Sequence, residues 1–243
     1  MKFDTSFEKF ANEYDNVMGD NGDYTHLKTI TPALFDLIKN PKGLKIYDVG
    51  CGNGYIARRL MREGAKEVFA SDISETMIHI AKSRYPIHSI IYSIRDMSDF
   101  SGFKEGYFDL VVMNMSISYS SNIKKLAKEI ARILKTGGRF VFTLDHPLKY
   151  SAYKVFGRTD FDITLKDSDY LNEKEKTTYN HWTKQQNALR IYTRPLGSYI
   201  NALGEYGLFV KFIREPQSKA EYKDKKVKTS IPFKIAVEVV KVV

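Results

Sequence analysis

Three glycines at alternate positions, Gly50, Gly52 and Gly54, follow directly on Ile46-Tyr47-Asp48-Val49 and lead into a run with helical spacing, Ile56, Ala57, Leu60 and Met61. A strand that stops on Gly-x-Gly-x-Gly and opens a helix brings bare backbone close to a ligand. The dinucleotide fingerprint would need a glycine where Tyr55 stands, so the spacing points to a smaller ligand that is not a dinucleotide. Asp72 lies 18 residues beyond Gly54, about where a β-α-β unit places an acid to accept both ribose hydroxyls. An acid buried beside apolar Ile73 without such a partner would be costly. The five His and the single Cys show no metal-ligand spacing. Cys51, between two loop glycines, reads as a small residue that fits there rather than as a nucleophile.

These residues need a frame, and the hydrophobic pattern supplies one. Gly64 caps the first helix; Glu67-Val68-Phe69-Ala70 reads as a second strand ending in Ser71-Asp72. A helix over about 75–84 carries Met77, Ile78 and Ala81 on its apolar face, and Pro86 ends it. A short strand, His88 to Tyr92, precedes Asp96-Met97. Phe108 to Asn114 is a near-continuous apolar run, as expected of a parallel strand buried on both faces. A helix over about 122–134, a Lys135-Thr136-Gly137-Gly138 turn and a fifth strand, Arg139 to Leu144, complete a fivefold alternation. That order predicts an α/β fold with a doubly wound, mostly parallel sheet.

Asp48-x-Gly50-x-Gly52-x-Gly54 resembles motif I of the class I S-adenosylmethionine-dependent methyltransferases, and the resemblance extends over about 41–147. Asn114-Met115-Ser116-Ile117-Ser118-Tyr119 and Ile130 to Phe140 are similar to later motifs of the small-molecule methyltransferases near the ubiquinone/menaquinone-biosynthesis group. Asp145-His146-Pro147 is similar to the Glu-His-Pro of a bacterial branch. The resemblance implies a Rossmann-like core that binds S-adenosyl-L-methionine and releases S-adenosyl-L-homocysteine. It implies cofactor contacts from Asp48, Gly50, Cys51, Gly52, Asn53, Gly54, Asp72, Ile73, Met77, Asp96, Met97, Asn114 and Met115. In the family, an Asp at the place of Asp96 faces the adenine amino group and its neighbour packs on the ring. Asp48 is either structural or reaches the cofactor's amino group through water.

The segments outside that core should decide the acceptor. Residues 1–40 read as two helices, about 5–15 with Phe7, Phe10 and Tyr14 on one side, then about 24–39, which Thr31-Pro32 kinks or divides. Relatives use such helices as a lid. Residues 148–193 are polar, Tyr-rich and too long for an ordinary connection, which predicts an inserted cap over the acceptor. The core resumes over 194–243 with a helix ending near Gly207 and two strands, Leu208 to Glu215 and Ile231 to Val242; the resemblance implies that these pair as an antiparallel edge hairpin. The expected reaction is methyl transfer to an O, N or C atom of a small-molecule acceptor, whose pocket takes Tyr14, Tyr119, Tyr192 and Arg194. Tyr192 and Arg194 resemble a Tyr-His-Arg element of relatives in which Thr193 replaces the His. His146, at the carboxyl edge of the sheet, is the candidate general base; the plainer reading is that it shapes the exit turn. His181-Trp182 either lines the acceptor pocket or packs within the cap.

The net charge of +9 keeps nucleic acid, and so an RNA methyltransferase, as an alternative. Its basic residues fall mostly in solvent-like places, Lys124, Lys125 and Lys128 on a helix face and Lys219 to Lys228 in a loop, and no nucleic-acid module is visible. A non-catalytic S-adenosylmethionine-binding protein is a further reading. An NAD-linked oxidoreductase is disfavoured by Tyr55 and by the lack of a sixth parallel strand. With 43% hydrophobic residues, one Cys and no apolar run of membrane-spanning length, the chain is expected to be a globular, cytoplasmic monomer or homodimer.

Overall fold

The computed structural model describes residues 6–147, 152–154, 163–165, 170–180, 185–217 and 232–243. Five parallel strands form its centre: β1 (Lys45–Val49), β2 (Glu67–Asp72), β3 (Ile90–Ile94), β4 (Phe108–Asn114) and β5 (Leu134–Asp145). β11 (Lys234–Lys241) runs antiparallel to β5, and β10 (Leu208–Arg214) closes the edge beyond it, giving the order β10-β11-β5-β4-β1-β2-β3. The expected edge hairpin is present. The chain order reverses between β1 and β4, and the crevice outside their carboxyl ends is where open α/β sheets bind ligands.

Successive β4 residues feed two cores. Val111 and Met113 pack with Phe140, Phe142 and helix α5 (Ile123–Ile133), while Leu110 and Val112 pack with Val141 and the helices of the opposite face. Those helices are α2 (Thr31–Ile38), α3 (Tyr55–Arg62) and α4 (Glu75–Ser83). Both faces of the sheet are covered, which is why β4 has no polar alternation. Helix α6 (Leu196–Gly204) lies with α5.

Three local expectations shift, and a fourth, the division at Thr31-Pro32, holds. β3 starts two residues later than predicted, because pairing Val68 with Ile90 buries Ile90 and Tyr92 and turns Ile91 outward. The Lys135–Gly138 turn is a bulge within β5: Leu134 pairs Phe108 and Arg139 pairs Leu110, so the extra residues loop out, with Gly137 at φ +77°. The first N-terminal helix begins as a 3-10 turn, Ser6–Phe10, before α1 (Ala11–Met18). The second is divided at Thr31, whose N–H reaches the His26 carbonyl across a π turn just before Pro32, which has no N–H to give.

The 148–193 insertion carries antiparallel pairs, β6 (Ala152–Lys154) with β7 (Ile163–Leu165) and β8 (Lys174–Asn180) with β9 (Gln185–Thr193). β9 packs against the 3-10 turn Ile117–Tyr119 and against Ser6–Phe10. His181-Trp182 and the Lys219–Lys228 loop lie outside the described residues.

Candidate functional site: a glycine loop under an N-terminal strap

The loop between β1 and α3 is anchored from below. Gly50 and Cys51 donate their N–H groups to the Ser71 carbonyl at 2.8 and 2.9 Å, and Gly54 donates to the Cys51 carbonyl. All three loop glycines have left-handed φ, but for different surroundings. A Cβ on Gly50 would lie 2.6 Å from Ser116 Cβ, and one on Gly54 would lie 2.5 Å from the Tyr92 hydroxyl. These two glycines serve internal packing. Gly52 is the open one: a Cβ there would meet only the Tyr14 ring, at 3.6 Å.

Two acids line the loop. Asp72 Oδ2 accepts the Gly52 N–H at 2.8 Å and Oδ1 accepts the Ser74 N–H at 3.0 Å, so β2, the loop and the start of α4 are locked together. Burial raises the Asp72 carboxyl above its ordinary range despite these bonds. Asp48 is buried, and neither carboxyl oxygen makes a well-formed hydrogen bond among the described residues, although the Ala57 N–H is near enough to hold its carboxyl down somewhat. Burial, then the charge of Asp72, pushes it up to about 7. Neither acid is paired with a cationic side chain among the described residues. A crevice with two uncompensated carboxylates favours a cationic ligand. S-adenosylmethionine, which carries an ammonium and a sulfonium, fits that requirement. Burial, followed by Asp48 and Asp72, also raises the Cys51 thiol, consistent with an inert small residue.

The N-terminal segment lies across this loop and is fastened to it by residues not expected from the sequence. Glu8 accepts hydrogen bonds from the Ser74 hydroxyl at 2.5 Å and from the Thr76 hydroxyl and N–H. Burial raises its carboxyl, but the bonds from Ser74 and Thr76 outweigh this and hold it low. Asn53, expected on the ligand, instead donates through Nδ2 to Asp15 Oδ1 and to the Gly19 carbonyl, each at 2.7 Å. Arg58, fully buried, donates to Asp20 Oδ1 at 2.6 Å and to the Asn53 carbonyl, and its guanidinium lies over the Tyr85 ring. Arg84 reaches Asp15 Oδ2 at 2.6 Å. Met77 is buried against Ala11 beneath this segment. The strap sets Tyr14 beside Phe7, and Phe7 edge-on to Tyr119, at ring distances of 5.9 and 5.1 Å.

Beyond β4 the backbone turns sharply. Met115 has φ +58°, a conformation few side chains adopt, and its N–H bonds the Thr143 hydroxyl at 3.0 Å. Asn114 is held at both ends, donating to the Tyr55 hydroxyl at 2.6 Å and accepting from Thr143 at 2.8 Å. Asp96 accepts from the Ser98 N–H at 2.8 Å and hydroxyl at 2.5 Å, Met97 packs at the edge of the core, and Ile73 is half-buried in the β2–α4 turn. His146 is buried, with Nε2 3.0 Å from Glu215 Oε1 and its N–H on the Phe233 carbonyl, so its recorded partners lie toward β10 and β11. Tyr192 and Arg194 meet at the end of β9, the guanidinium 5.3 Å from the ring centroid. Among the described residues, no cluster of three or more His, Cys, Asp or Glu could hold a metal ion. None of the described helices is long and apolar enough to cross a membrane.

Residues 47–142, from β1 to β5, match a family model described as a methyltransferase domain. Over those residues the chain is similar to a methyltransferase domain. The Mesorhizobium loti S-adenosylmethionine-dependent methyltransferase superposes with a TM-score of 0.74 over 89% of this chain and 97% of that one, at 23% identity, a likeness of fold. A demethylmenaquinone methyltransferase of Leptospira interrogans is 29% identical over 142 residues, 56% of this chain and 57% of that protein. The mitochondrial arginine-hydroxylase NDUFAF5 of Mus musculus is 31% identical over 124 residues. This match covers 45% of the chain but only 35% of the mouse protein, so the chain spans about a third of that relative's length.

Proposed function

We propose that this methyltransferase transfers the S-adenosylmethionine methyl group to a small-molecule acceptor enclosed between the glycine loop, the N-terminal strap and the β8–β9 hairpin. The observation that carries this reading is the strap itself. Tyr14 lies within van der Waals reach of the open face of Gly52, and Glu8, Asn53 and Arg58 bind the segment down on both sides. A strapped, aromatic-lined crevice suits a small acceptor better than a base within a polymer. The cofactor brings an activated methyl group, so the protein has to bind, orient and exclude water. In this reading residues 1–40 act as lid, 148–193 as cap, and 41–147 with 194–243 as the core.

In the test, the full chain with cofactor is incubated with metabolite pools and with tRNA, and products are scored by mass. A small product heavier by one methylene supports the reading. Methylated tRNA, with activity falling steeply as salt rises, overturns it. Because the mouse relative is named a hydroxylase, a product heavier by one oxygen is scored separately and also counts against methyl transfer.

Asp48 and Asp72 serve in this reading as the ammonium-side and ribose-side anchors. Asp48 has to be ionised to attract the ammonium, directly or through water. Its folded-state carboxyl sits at about 7, against an ordinary value of 3.8. Cofactor affinity should therefore rise with pH up to about 8, and at pH 6 be about tenfold weaker than on the plateau. The linkage sign is the reverse of the usual carboxylate case: stability gained from the protonated acid is lost as pH rises through about 7. Bound cofactor should flatten that loss, and Asp48→Asn should abolish both effects. Calorimetry and melting curves from pH 5.5 to 8.5 check this; a wild-type affinity that does not change across that range contradicts it.

The Glu215 contact makes turn-fixing the better-supported role for His146. His146→Ala should slow methyl transfer less than about tenfold and leave cofactor affinity unchanged. A fall of ~10²–10⁴ with affinity intact would return it to the role of base.

A further inference from the structure

A cavity of about 410 Å³ lies between the start of α5 and the flank of α6. Its walls include Asn122, Lys124, Glu173, Arg194, Ser198 and Glu205. The Arg194 side chain is only 4% exposed. Of its donors, Nη2 bonds the Ser121 carbonyl at 3.1 Å; Nε lies 3.3 Å from Glu173 Oε2 and, like Nη1, makes no well-formed hydrogen bond among the described residues, although the Tyr199 hydroxyl interacts with the guanidinium. A guanidinium so deeply buried is costly while two of its donor nitrogens lack a well-formed bond. The first turn of α5 faces the same space. Asn122 Oδ1 takes the Lys125 N–H, while the N–H groups of Ile123 and Lys124 have no intrahelical acceptor. The two acids at the rim, Glu173 and Glu205, are each about half exposed, pair with Arg194 and Lys124, and can swing into solvent.

We propose that this cavity is an oxyanion site that holds a carboxylate or phosphate group of the methyl acceptor in the Arg194 fork, against the first turn of α5. The planar fork suits either group bidentately, and the helix start adds two backbone donors and the positive end of its dipole. Glu173 occupies the fork when the acceptor is absent. A line of contacts leads from the glycine loop toward the cavity: a Cβ on Gly52 would meet Tyr14, Tyr14 packs on Phe7, Phe7 on Tyr119, and Ser121, two residues on, lines the cavity and bonds Arg194. The inference rests on the small-molecule reading above and specifies that acceptor as an anion.

The test uses the full chain, labelled with ¹⁵N at arginine and saturated with S-adenosylhomocysteine. Acetate and inorganic phosphate are titrated at constant ionic strength while the Arg194 Nε–H signal, assigned by its loss in Arg194→Lys, is followed. The signal should shift saturably, and the tighter probe names the group. Glu173→Gln should tighten that binding up to about fivefold by removing the internal competitor. If Arg194→Lys fails to fold, the signal is assigned instead as the Arg Nε–H resonance that moves in Glu173→Gln without ligand, since Nε is the atom facing Glu173. Shifts that never saturate with either probe, or an affinity that Glu173→Gln leaves unchanged, overturn the proposal. Failure of S-adenosylhomocysteine to bind would instead sink the methyltransferase reading, and is seen separately in the same samples.

Discussion

Asp72→Ala should raise the dissociation constant for S-adenosylhomocysteine by about 30- to 900-fold, equivalent to ~2–4 kcal/mol. Two charge-assisted bonds to ribose would be worth more than that in isolation. The loss is reduced because the substitution also removes a buried acid that repels Asp48. It is sharpened because Gly52 and Ser74 lose the acceptor that fixes the loop to α4. Asp72→Asn, which keeps one acceptor oxygen, should fall between. Calorimetry on both variants checks the order, and unchanged affinity in Asp72→Ala would place the cofactor elsewhere.

Arg58→Ala should give the largest loss of stability. The guanidinium is fully buried, bonds Asp20 and the Asn53 carbonyl, and covers the Tyr85 ring. Removing a fully buried guanidinium with its hydrogen bonds and its packing on Tyr85 costs about 3 kcal/mol, although Asp20 itself is about a third exposed, and for a chain of this size that lowers the melting temperature by roughly 6–12 °C. Asp20 is held below the ordinary carboxylate range, where bonds from Arg62 and Arg58 outweigh the effect of burial; Arg62 remains in the variant, which limits the damage. The strap should also loosen from the loop, so proteolysis should cut within the first 20 residues sooner than in the wild type. A melting temperature within 2 °C or so of wild type, with unchanged proteolysis, would show that the strap is held by its aromatic contacts alone.

What could be read from the sequence, and what could not, follows from the range of the interactions. β4 was legible because a strand buried on both faces has no choice but to be apolar, and the loop was legible because alternate glycines leave few alternatives to a close backbone approach. The spacing places Asp72 at the end of β2, and there it accepts the Gly52 N–H of the loop. The strap's fastening is not legible: Asp15, Asp20, Arg58 and Arg84 meet across 38 to 69 residues, and each looks by itself like an ordinary polar position on a helix or in the turn after one. The resemblance puts Asn53 among the cofactor contacts, while its side-chain Nδ2 donates to Asp15 of α1 and to the Gly19 carbonyl. The β8–β9 hairpin was missed because strands such as Lys174-Glu175-Lys176-Thr177-Thr178, with exposed charged residues, have no apolar alternation to announce them. Arg194 was picked out by resemblance, but its isolation in a cavity at the start of α5 is a property of the fold alone.

Calorimetric titration of the full chain with S-adenosylmethionine, S-adenosylhomocysteine and NAD tests the central claim most directly. Both adenosyl ligands should bind saturably and raise the melting temperature, and NAD should do neither. Tight binding of NAD with none of S-adenosylhomocysteine would contradict the cofactor assignment and every role built on it.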